Sequence, residues 1–361
     1  MKKIFFGWIL ILVFIFPLSS CYNEPDIPPT DPNLVKVTSD INNETTWETG
    51  KVYLIKKFDF YVNQPLHIQP GTIIKFHTSA QYLTIGNSGK IIANGTSSQP
   101  IIFTSYKDDS HGGDTNGDEG SSSPSMGDWG TIDLNGHNGS EFQYCQFLYS
   151  GLEKASALKL ADNASAKVKN CTFAHNDGTL ADGGALNASF SGAETIIEDN
   201  IFYDNEKPLS ITTTYSLGNS NRFHNPDNSS EKNTYNAIFV KKTGDGINQN
   251  ISWQEDEVAY VLGAAGDLEL WIFATLTLAD EVVLKFKQDF TLILNKEFDP
   301  IIYYNANGVF FTSFKDDEHK GDSNGDGSNT SPNDFDWAGI WDEFHLEAKI
   351  WDNVLYDSNQ K

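Results

Sequence analysis

The chain of 361 residues has a single arginine, Arg222, and only three cysteines. Acidic residues outnumber basic ones, with 49 Asp and Glu against 25 Lys and Arg, and the formal net charge is −24. So acidic a protein is a poor candidate for binding nucleic acid or other polyanions unless cations mediate the contact. Three cysteines cannot build a disulfide framework. We therefore exclude nucleic acid as a partner and a disulfide-rich scaffold as the fold.

Common catalytic signatures are also missing. The sequence has no Ser/His/Asp order, no CxxC zinc pair and no phosphate-binding loop. A glycosidase needs a pair of carboxyl groups about 5–10 Å apart, and the chain offers many acids but no pair that stands out. Solvated acids on turns explain these residues more simply. The acids considered are Asp162, Asp177, Asp182, Glu198, Asp199 and Asp204.

The one long apolar run lies at the N-terminus, where two lysines precede Ile4–Phe16. It is shorter than the roughly 20 residues of a membrane span, so it predicts a signal peptide over residues 1–20. The ending Leu-Ser-Ser-Cys resembles a bacterial lipobox, which implies cleavage before Cys21 and lipidation of that residue. An ordinary signal peptide with a chance cysteine is the alternative. Residues 21–44 begin with a segment rich in Pro, Asp and Asn and are predicted to form a tether. We expect a lipid-anchored protein of the bacterial outer membrane, facing the cell exterior.

An acidic segment occurs twice in the chain. Thr104–Trp129, here called loop 1, returns as Thr312–Trp337, here called loop 2. Asp322 follows Asp114 by 208 positions, and Trp337 follows Trp129 by the same number. The chain therefore contains two copies of one module, predicted over residues 45–250 and 251–361.

Both loops carry an Asp-x-Asn-x-Asp spacing followed by further carboxylates, and a glycine inside it lets the backbone curl. Ca2+ takes about 6–8 oxygen ligands, so this composition predicts a calcium site in each loop. The segment is not an EF-hand, because the Gly and Glu positions of that motif do not match. An ordinary solvated loop is the alternative. His111 and His319 recur in register but are expected at the loop surface, because Ca2+ prefers oxygen. The predicted metal ligands are Asp108, Asp109, Asp114, Asn116, Asp118 and Asp128, then Asp316, Asp317, Asp322, Asn324, Asp326 and Asp336.

Outside the loops, short β-branched runs alternate with Gly, Pro and Asn turns and show no helical periodicity. This pattern predicts an all-β solenoid in which each turn buries a narrow apolar face on its neighbour. In the first module the predicted strands are Lys51–Ile55, Leu66–Gln69, Thr72–Phe76, Leu83–Ile85, Lys90–Ala93 and Ile101–Thr104. In the second they are Val258–Leu262, Leu268–Phe273, Ala274–Leu278, Val282–Phe286, Phe290–Leu294 and Val309–Thr312.

A recurring rung ends in phenylalanine at Phe147, Phe173 and Phe202, and alternation predicts that these rings stack inside. Asn170 and Asn200 are predicted to form an amide ladder at a turn. Cys145 and Cys171 lie one turn apart; a disulfide is possible on distance, but buried thiols are favoured. The second module breaks off on the rung Ile350–Asp357, so either this end docks on another surface or the sequence is incomplete.

With these residues the chain resembles the right-handed parallel β-helix proteins of the pectin-lyase-like fold. It is most similar to bacterial surface members that carry a duplicated TSxKDD…GDTNGDG…GDW insertion. The resemblance implies the fold and leaves the function open, because such solenoids include lyases, hydrolases and non-catalytic surface proteins. The lyases need a cation and a Lys or Arg base, and here Lys159, Lys167 and Lys169 belong to no recognisable motif.

We therefore expect a non-catalytic, calcium-stabilised surface lipoprotein that serves adhesion or glycan binding. Its partners would be the membrane, through Cys21, and a polysaccharide or another cell-surface ligand. The alternative is an extracellular polysaccharide lyase or glycoside hydrolase, which a groove with a cation, a basic residue and aromatic walls would favour. The tryptophans considered for sugar stacking, most of them expected to pack within rungs, are Trp129, Trp337, Trp341 and Trp351.

Overall fold

The computed structural model describes residues 33–77, 82–180, 183–263, 266–295, 302–305 and 307–359. The predicted signal peptide, Cys21 and residues 22–32 of the predicted tether lie outside these ranges. Among the residues described, no helix is long and apolar enough to cross a membrane.

The described chain is built from short strands and one 3₁₀ turn, Leu152–Lys154. In a typical strand, Pro65–Ile68, Leu66 and Ile68 are buried while His67 points outward, as period-two alternation requires. The first strands are β1 Leu34–Val37, β2 Thr45–Trp47, β3 Val52–Ile55, β4 Asp59–Val62, β5 Pro65–Ile68, β6 Ile73–Phe76, β7 Tyr82–Ile85, β8 Lys90–Asn94, β9 Ile101–Ser105, β10 Thr131–Asp133 and β11 Ser140–Gln143. They are followed by β12 Cys145–Leu148, β13 Leu158–Lys159, β14 Ala166–Lys169, β15 Thr172–Ala174, β16 Leu186–Ala188, β17 Ile196–Glu198, β18 Ile201–Tyr203, β19 Leu209–Thr212, β20 His224–Asn225, β21 Asn228–Lys232 and β22 Ala237–Lys241. The last are β23 Gly246–Ile247, β24 Ile251–Trp253, β25 Ala259–Leu262, β26 Glu269–Ile272, β27 Leu276–Leu278, β28 Val283–Phe286, β29 Thr291–Leu294, β30 Ile302–Tyr303, β31 Phe310–Ser313, β32 Gly339–Asp342 and β33 Glu347–Lys349.

The strands form a parallel β-solenoid of about nine turns, which confirms the predicted fold class. Each turn contributes one strand to each of three faces, so a strand usually pairs with the third strand after it. One face is the ten-stranded sheet that runs from β4 to β31, and in the first module the other two are a seven-stranded and a six-stranded sheet. In the second module five-stranded and three-stranded sheets accompany the ten-stranded one.

The interior is a column of apolar side chains in which like residues stack from turn to turn. Phe147 and Phe173 are fully buried, with ring centres 4.6 Å apart, and Phe173 lies 5.1 Å from Phe202. Phe103 and Phe223 extend the stack at its two ends. The predicted phenylalanine column is confirmed. Stacked parallel strands repeat about every 4.8 Å, which brings equivalent rings into contact.

The predicted amide ladder exists, but its members differ from those expected. Asn200 occupies the position of Cys171 in the rung, and its Nδ2 donates to Asn221 Oδ1 at 3.1 Å. Asn170 is one position earlier, at a corner where its φ is 54° and the equivalent Asp199 has a φ of 58°. The pairing of Asn170 with Asn200 was therefore wrong, because a shift of one residue turns a side chain from the interior to the corner. A second ladder joins Asn176, Asn205 and Asn233.

Cys145 and Cys171 are free, buried thiols, as expected. The Sγ of Cys145 lies 3.3 Å from the carbonyl oxygen of Ala93, and that of Cys171 lies 3.4 Å from the carbonyl oxygen of Phe142. Burial raises the pKa of the Cys145 thiol well above its usual value. Both residues therefore act as small core residues.

The two modules stack into one continuous solenoid. In the ten-stranded sheet, β22 of the first module pairs in parallel with β25 of the second, with Phe239 opposite Val261. At the other end β1 pairs with β3, so residues 34–37, which the sequence analysis assigned to the tether, belong to the solenoid. Loop 1 follows a strand of the seven-stranded sheet, whereas loop 2 follows a strand of the ten-stranded sheet. The two copies therefore leave the solenoid from different faces.

Candidate metal centre

Each Asp-rich loop is closed at its base by aspartates that accept hydrogen bonds from nearby side chains. In loop 1, Asp108 accepts from Thr104 Oγ1 at 2.6 Å. Asp128 accepts from Ser105 Oγ and from Lys107 Nζ, both at 2.7 Å. Burial alone would raise the pKa of Asp108, but hydrogen bonds from His111, Ser110 and Thr104 outweigh it and lower the pKa to about 2. Asp108 and Asp128 therefore hold the ends of the loop and are not among its three clustered carboxylates.

Loop 2 is closed in the same way. Asp316 accepts from Thr312 Oγ1 at 2.5 Å, and Asp336 accepts from Ser313 Oγ and Lys315 Nζ, both at 2.7 Å. The two loops have the same residues at their ends because each loop forms the same set of internal hydrogen bonds. His111 and His319 take part in it, with Nδ1 at 2.7 Å from Asp108 Oδ2 and Asp316 Oδ2 respectively.

A buried lysine supports each loop from the strand beneath it. Lys75 on β6 is fully buried, and its Nζ donates to the carbonyl oxygens of Asp108 at 2.8 Å and Gly113 at 2.7 Å. Lys285 on β28 is also fully buried and donates to Gly321 O at 2.6 Å and to Ser323 Oγ at 2.9 Å.

These two lysines also bring positive charge to the loops. Burial lowers the pKa of both to about 8, although the neighbouring loop aspartates act in the opposite direction. An ammonium group under each loop partly offsets the negative charge above it. Neither lysine is among the residues predicted from the sequence. The available signal was a lysine inside otherwise apolar strands, IIKF and VLKF, at matching places in the two modules.

Three predicted ligands of loop 1 come together. Asp109, Asp114 and Asp118 each offer a carboxylate oxygen, and these oxygens lie within 4.8 Å of one another. Gly117, with a φ of 73°, allows the turn that folds the segment back on itself. Asp114 Oδ1 accepts from the Gly117 N–H at 2.6 Å, and Asp118 Oδ2 accepts from Asn116 Nδ2 at 2.8 Å.

Two oxygens at this cluster lack a hydrogen-bond donor. Asp109 Oδ1 and Asn116 Oδ1 are both buried and have no partner. Burial, together with the charge of Asp114, raises the pKa of Asp109. Buried polar atoms are normally paired, so the unpaired carboxylate oxygen among other carboxylates marks a position that a bound cation would satisfy. A donor set made only of oxygen fits a hard cation such as Ca2+.

Loop 2 repeats the turn with one difference. Asp322 Oδ1 accepts from the Gly325 N–H at 2.7 Å, Asn324 Nδ2 donates to Asp326 Oδ2 at 3.0 Å, and Asp317 Oδ1 is buried without a donor. Burial raises the pKa of Asp317. In the described part of the chain, however, three acids come within ligand distance of one another in loop 1 and not in loop 2. Loop 1 is therefore the better-formed centre.

A separate cleft of about 500 Å³ lies on the outer surface, over strands of the ten-stranded sheet. Lys207 Nζ is 4.9 Å from the ring centre of Phe239, and Lys287 Nζ is 4.9 Å from that of Phe314. Burial lowers the pKa of Lys287. The cleft is lined by Lys154, Asp177, Thr179, Glu206, Lys207, Tyr235, Phe239, Lys287 and Phe314, a set without the three clustered aspartates.

Comparison with known families agrees with this architecture. Residues 39–138 match a family model described as a pectate-lyase like beta helix domain. This part of the chain is a pectate-lyase-like β-helix domain. Searches of the curated proteins and of the solved structures gave no match. The matched range contains loop 1, so the acidic segment, which connects β9 to β10, lies inside the pectate-lyase-like domain.

Within the pectate-lyase-like domain and the turns stacked on it, most of the tryptophans considered for sugar stacking are core residues. Trp129 and Trp337 are fully buried, and their rings lie 4.2 Å and 4.1 Å from those of Phe76 and Phe286. Trp351 packs against the ring of Phe311 at 5.6 Å. These contacts confirm the expectation that most of them pack within rungs. Trp341 is half-buried on the outside of the solenoid, where it remains a candidate for ligand contact.

Proposed function

We propose that the protein is a non-catalytic β-helix lipoprotein, stabilised by Ca2+ in its Asp-rich loops, that serves adhesion or glycan binding. It would be anchored through lipidated Cys21 to the bacterial outer membrane and face the cell exterior. The observation that carries the calcium assignment is the buried, unpaired Asp109 Oδ1 beside the carboxylates of Asp114 and Asp118. The pectate-lyase-like fold supplies the long exposed faces that a binding protein needs.

A bound cation would stabilise the folded loop for a simple electrostatic reason. Three carboxylates within 4.8 Å repel one another, and the ammonium group of Lys75 supplies one compensating charge nearby. In the unfolded chain the same acids separate and the repulsion disappears. An ion that binds only the folded state adds about 2.7 kcal/mol at a concentration one hundred times its dissociation constant.

The calcium assignment is tested by calorimetry and thermal melting of the chelator-treated protein. We expect Ca2+ to bind and to raise the melting temperature, and Asp109→Asn to remove most of that increase. Asn keeps the shape of the side chain and removes its charge. Asp162→Asn is the matched control, because Asp162 is an exposed acid outside both loops. Absence of ion uptake at millimolar Ca2+, or an equal calcium response in both variants, would contradict the proposal.

The alternative, a polysaccharide lyase, is favoured by the cleft that contains Lys287. A lyase base must lose its proton near neutral pH, and burial lowers the pKa of this lysine beside an aromatic wall. Incubation with polyuronates and with neutral polysaccharides distinguishes the two functions. An unsaturated product that disappears in Lys287→Ala would establish the lyase. Binding without any new product or reducing end supports the non-catalytic function.

A further inference from the structure

A row of aromatic and aliphatic side chains runs along the outer face of the five-stranded sheet. Trp271 on β26 lies opposite Ile293 on β29, which in turn lies opposite Trp341 on β32. The inward positions of these strands are filled by core residues, so the three side chains share the outer face. We call these three residues, with Phe273 beside them, the tryptophan row. The two tryptophans are two strand spacings apart, which is about 10 Å.

The two indole rings of the tryptophan row are held in place by hydrogen bonds to glutamates two residues away along the chain. Trp271 Nε1 donates to Glu269 Oε1 at 2.9 Å, and Trp341 Nε1 donates to Glu343 Oε2 at 2.8 Å. Phe273 stacks with Trp271 at 5.9 Å between ring centres, with an interplanar angle of 12°. Ile293, only 7% exposed, fills the space between the two tryptophans. An apolar surface with fixed rings loses little conformational entropy on binding.

The surroundings of the row restrict the chemistry of its partner. Glu269 and Glu343 are exposed at its edge, and the whole chain has a net charge of −24, so an anionic polymer would be repelled. Sugar hydroxyl groups, in contrast, are donors that match these carboxylates, while the C–H faces of sugar rings match the indole rings. The complementary partner is therefore an uncharged polyol with flat apolar faces.

The spacing of the two tryptophans also indicates the repeat length of the partner. In an extended β-linked glycan successive rings are turned over, so the same ring face returns with every second sugar. The distance of about 10 Å between the tryptophans, set by two strand spacings, is close to the length of one such disaccharide. We propose that the tryptophan row binds a neutral, extended, β-linked polysaccharide, with one indole under every second ring. This inference rests on the proposed glycan-binding function and names its face and ligand class.

The test is affinity electrophoresis and calorimetry of the full chain with a soluble neutral β-1,4-linked glycan, and with polygalacturonate as the anionic comparison. We expect binding of the neutral glycan only. Trp271→Ala and Trp341→Ala should each weaken it by roughly tenfold, which is about 1.4 kcal/mol, since each removes one ring contact and the area that it buries. Phe190→Ala is the control, because Phe190 is a 46% exposed aromatic residue outside the row. Melting curves of all variants confirm that they are folded.

The results of this experiment distinguish a failure of this inference from a failure of the proposed glycan-binding function. Glycan binding that is unchanged in both tryptophan variants, or that is confined to polygalacturonate, overturns the inference and leaves a glycan-binding protein. Failure to bind either glycan overturns the inference together with glycan binding as the proposed function, and leaves adhesion. A dimer in sedimentation velocity that Trp341→Ala abolishes would also overturn the inference, because the row would then be an interface between two copies.

Discussion

Glu255 lies in the core where the second module begins, and its ionisation should make the stability of the protein depend on pH. The residue is 1% exposed, and Oε1 accepts from the Glu257 N–H at 3.1 Å. Oε2 is buried without a partner. Burial first, and then the charges of Glu257 and Asp256, raise the pKa of Glu255 from 4.5 to about 8. At neutral pH the folded protein therefore keeps a proton that the unfolded chain has released.

The sign and size of the effect follow from proton linkage. Stability falls as the pH rises from 4.5 towards 8, because over this range the unfolded state gains charge while the folded state does not. Each pH unit in this range lowers the free energy of unfolding by about 1.4 kcal/mol. The titration of Glu255 therefore lowers it by about 3 kcal/mol between pH 4 and pH 7. Glu255→Gln abolishes this dependence. The buried, unpaired amide of this variant lowers its free energy of unfolding by about 1–3 kcal/mol. The variant should therefore be less stable than the wild type at pH 4 and as stable or more stable at pH 7.

The assay is urea denaturation of the wild type and of Glu255→Gln at a series of pH values, followed by tryptophan fluorescence. We expect the difference in free energy of unfolding between the two proteins to change by about 3 kcal/mol from pH 4 to pH 7. Glu194→Gln, at an exposed position, should follow the wild type. A difference between wild type and Glu255→Gln that stays constant with pH would refute the reasoning, since Glu255 would then be ionised in the folded protein.

Three further substitutions test the packing of the solenoid. Asn205→Ala removes the middle of a buried ladder, leaves its neighbours unpaired and should cost about 2–4 kcal/mol in urea denaturation. Phe173→Ala, in the fully buried ring column, should cost about 3–5 kcal/mol in the same assay, and a value under 1 kcal/mol would mean that the column is loosely packed. Gly246→Ala would place a Cβ 2.1 Å from the carbonyl oxygen of Trp271 at a φ of 140°, so we expect a lower melting temperature and altered fluorescence of Trp271.

The strands were predictable because their signal is local. The sequence predicts Thr72–Phe76 and Ile101–Thr104, and the structure has Ile73–Phe76 and Ile101–Ser105. Alternation of apolar and polar residues and the Gly, Pro and Asn turns are read without knowledge of the partner strand. The column through Phe173 was predictable for the same reason, since the rung repeats at a nearly regular interval.

The register of the strands and the burial of polar side chains were harder to predict. The rung pattern did not tell whether Asn170 or Asn200 faces inward, because a shift of one residue exchanges corner and interior. Lys75 looked like an ordinary strand lysine, and only the loop folded over it explains its complete burial. The pairing of β22 with β25 depends on how the two modules stack. The duplication in the sequence gives no information about that stacking.

The sequence by itself determined the coil of short strands, its phenylalanine column and the presence of two acidic loops, because these depend on patterns within a few residues of chain. The tertiary structure decided which acids meet. The side chains of Lys107 and Ser105 bind Asp128 at the base of loop 1, while Asp109, Asp114 and Asp118 converge where the backbone turns back at Gly117. It also aligned Trp271 with Trp341, which are far apart in sequence and meet through strand pairing alone.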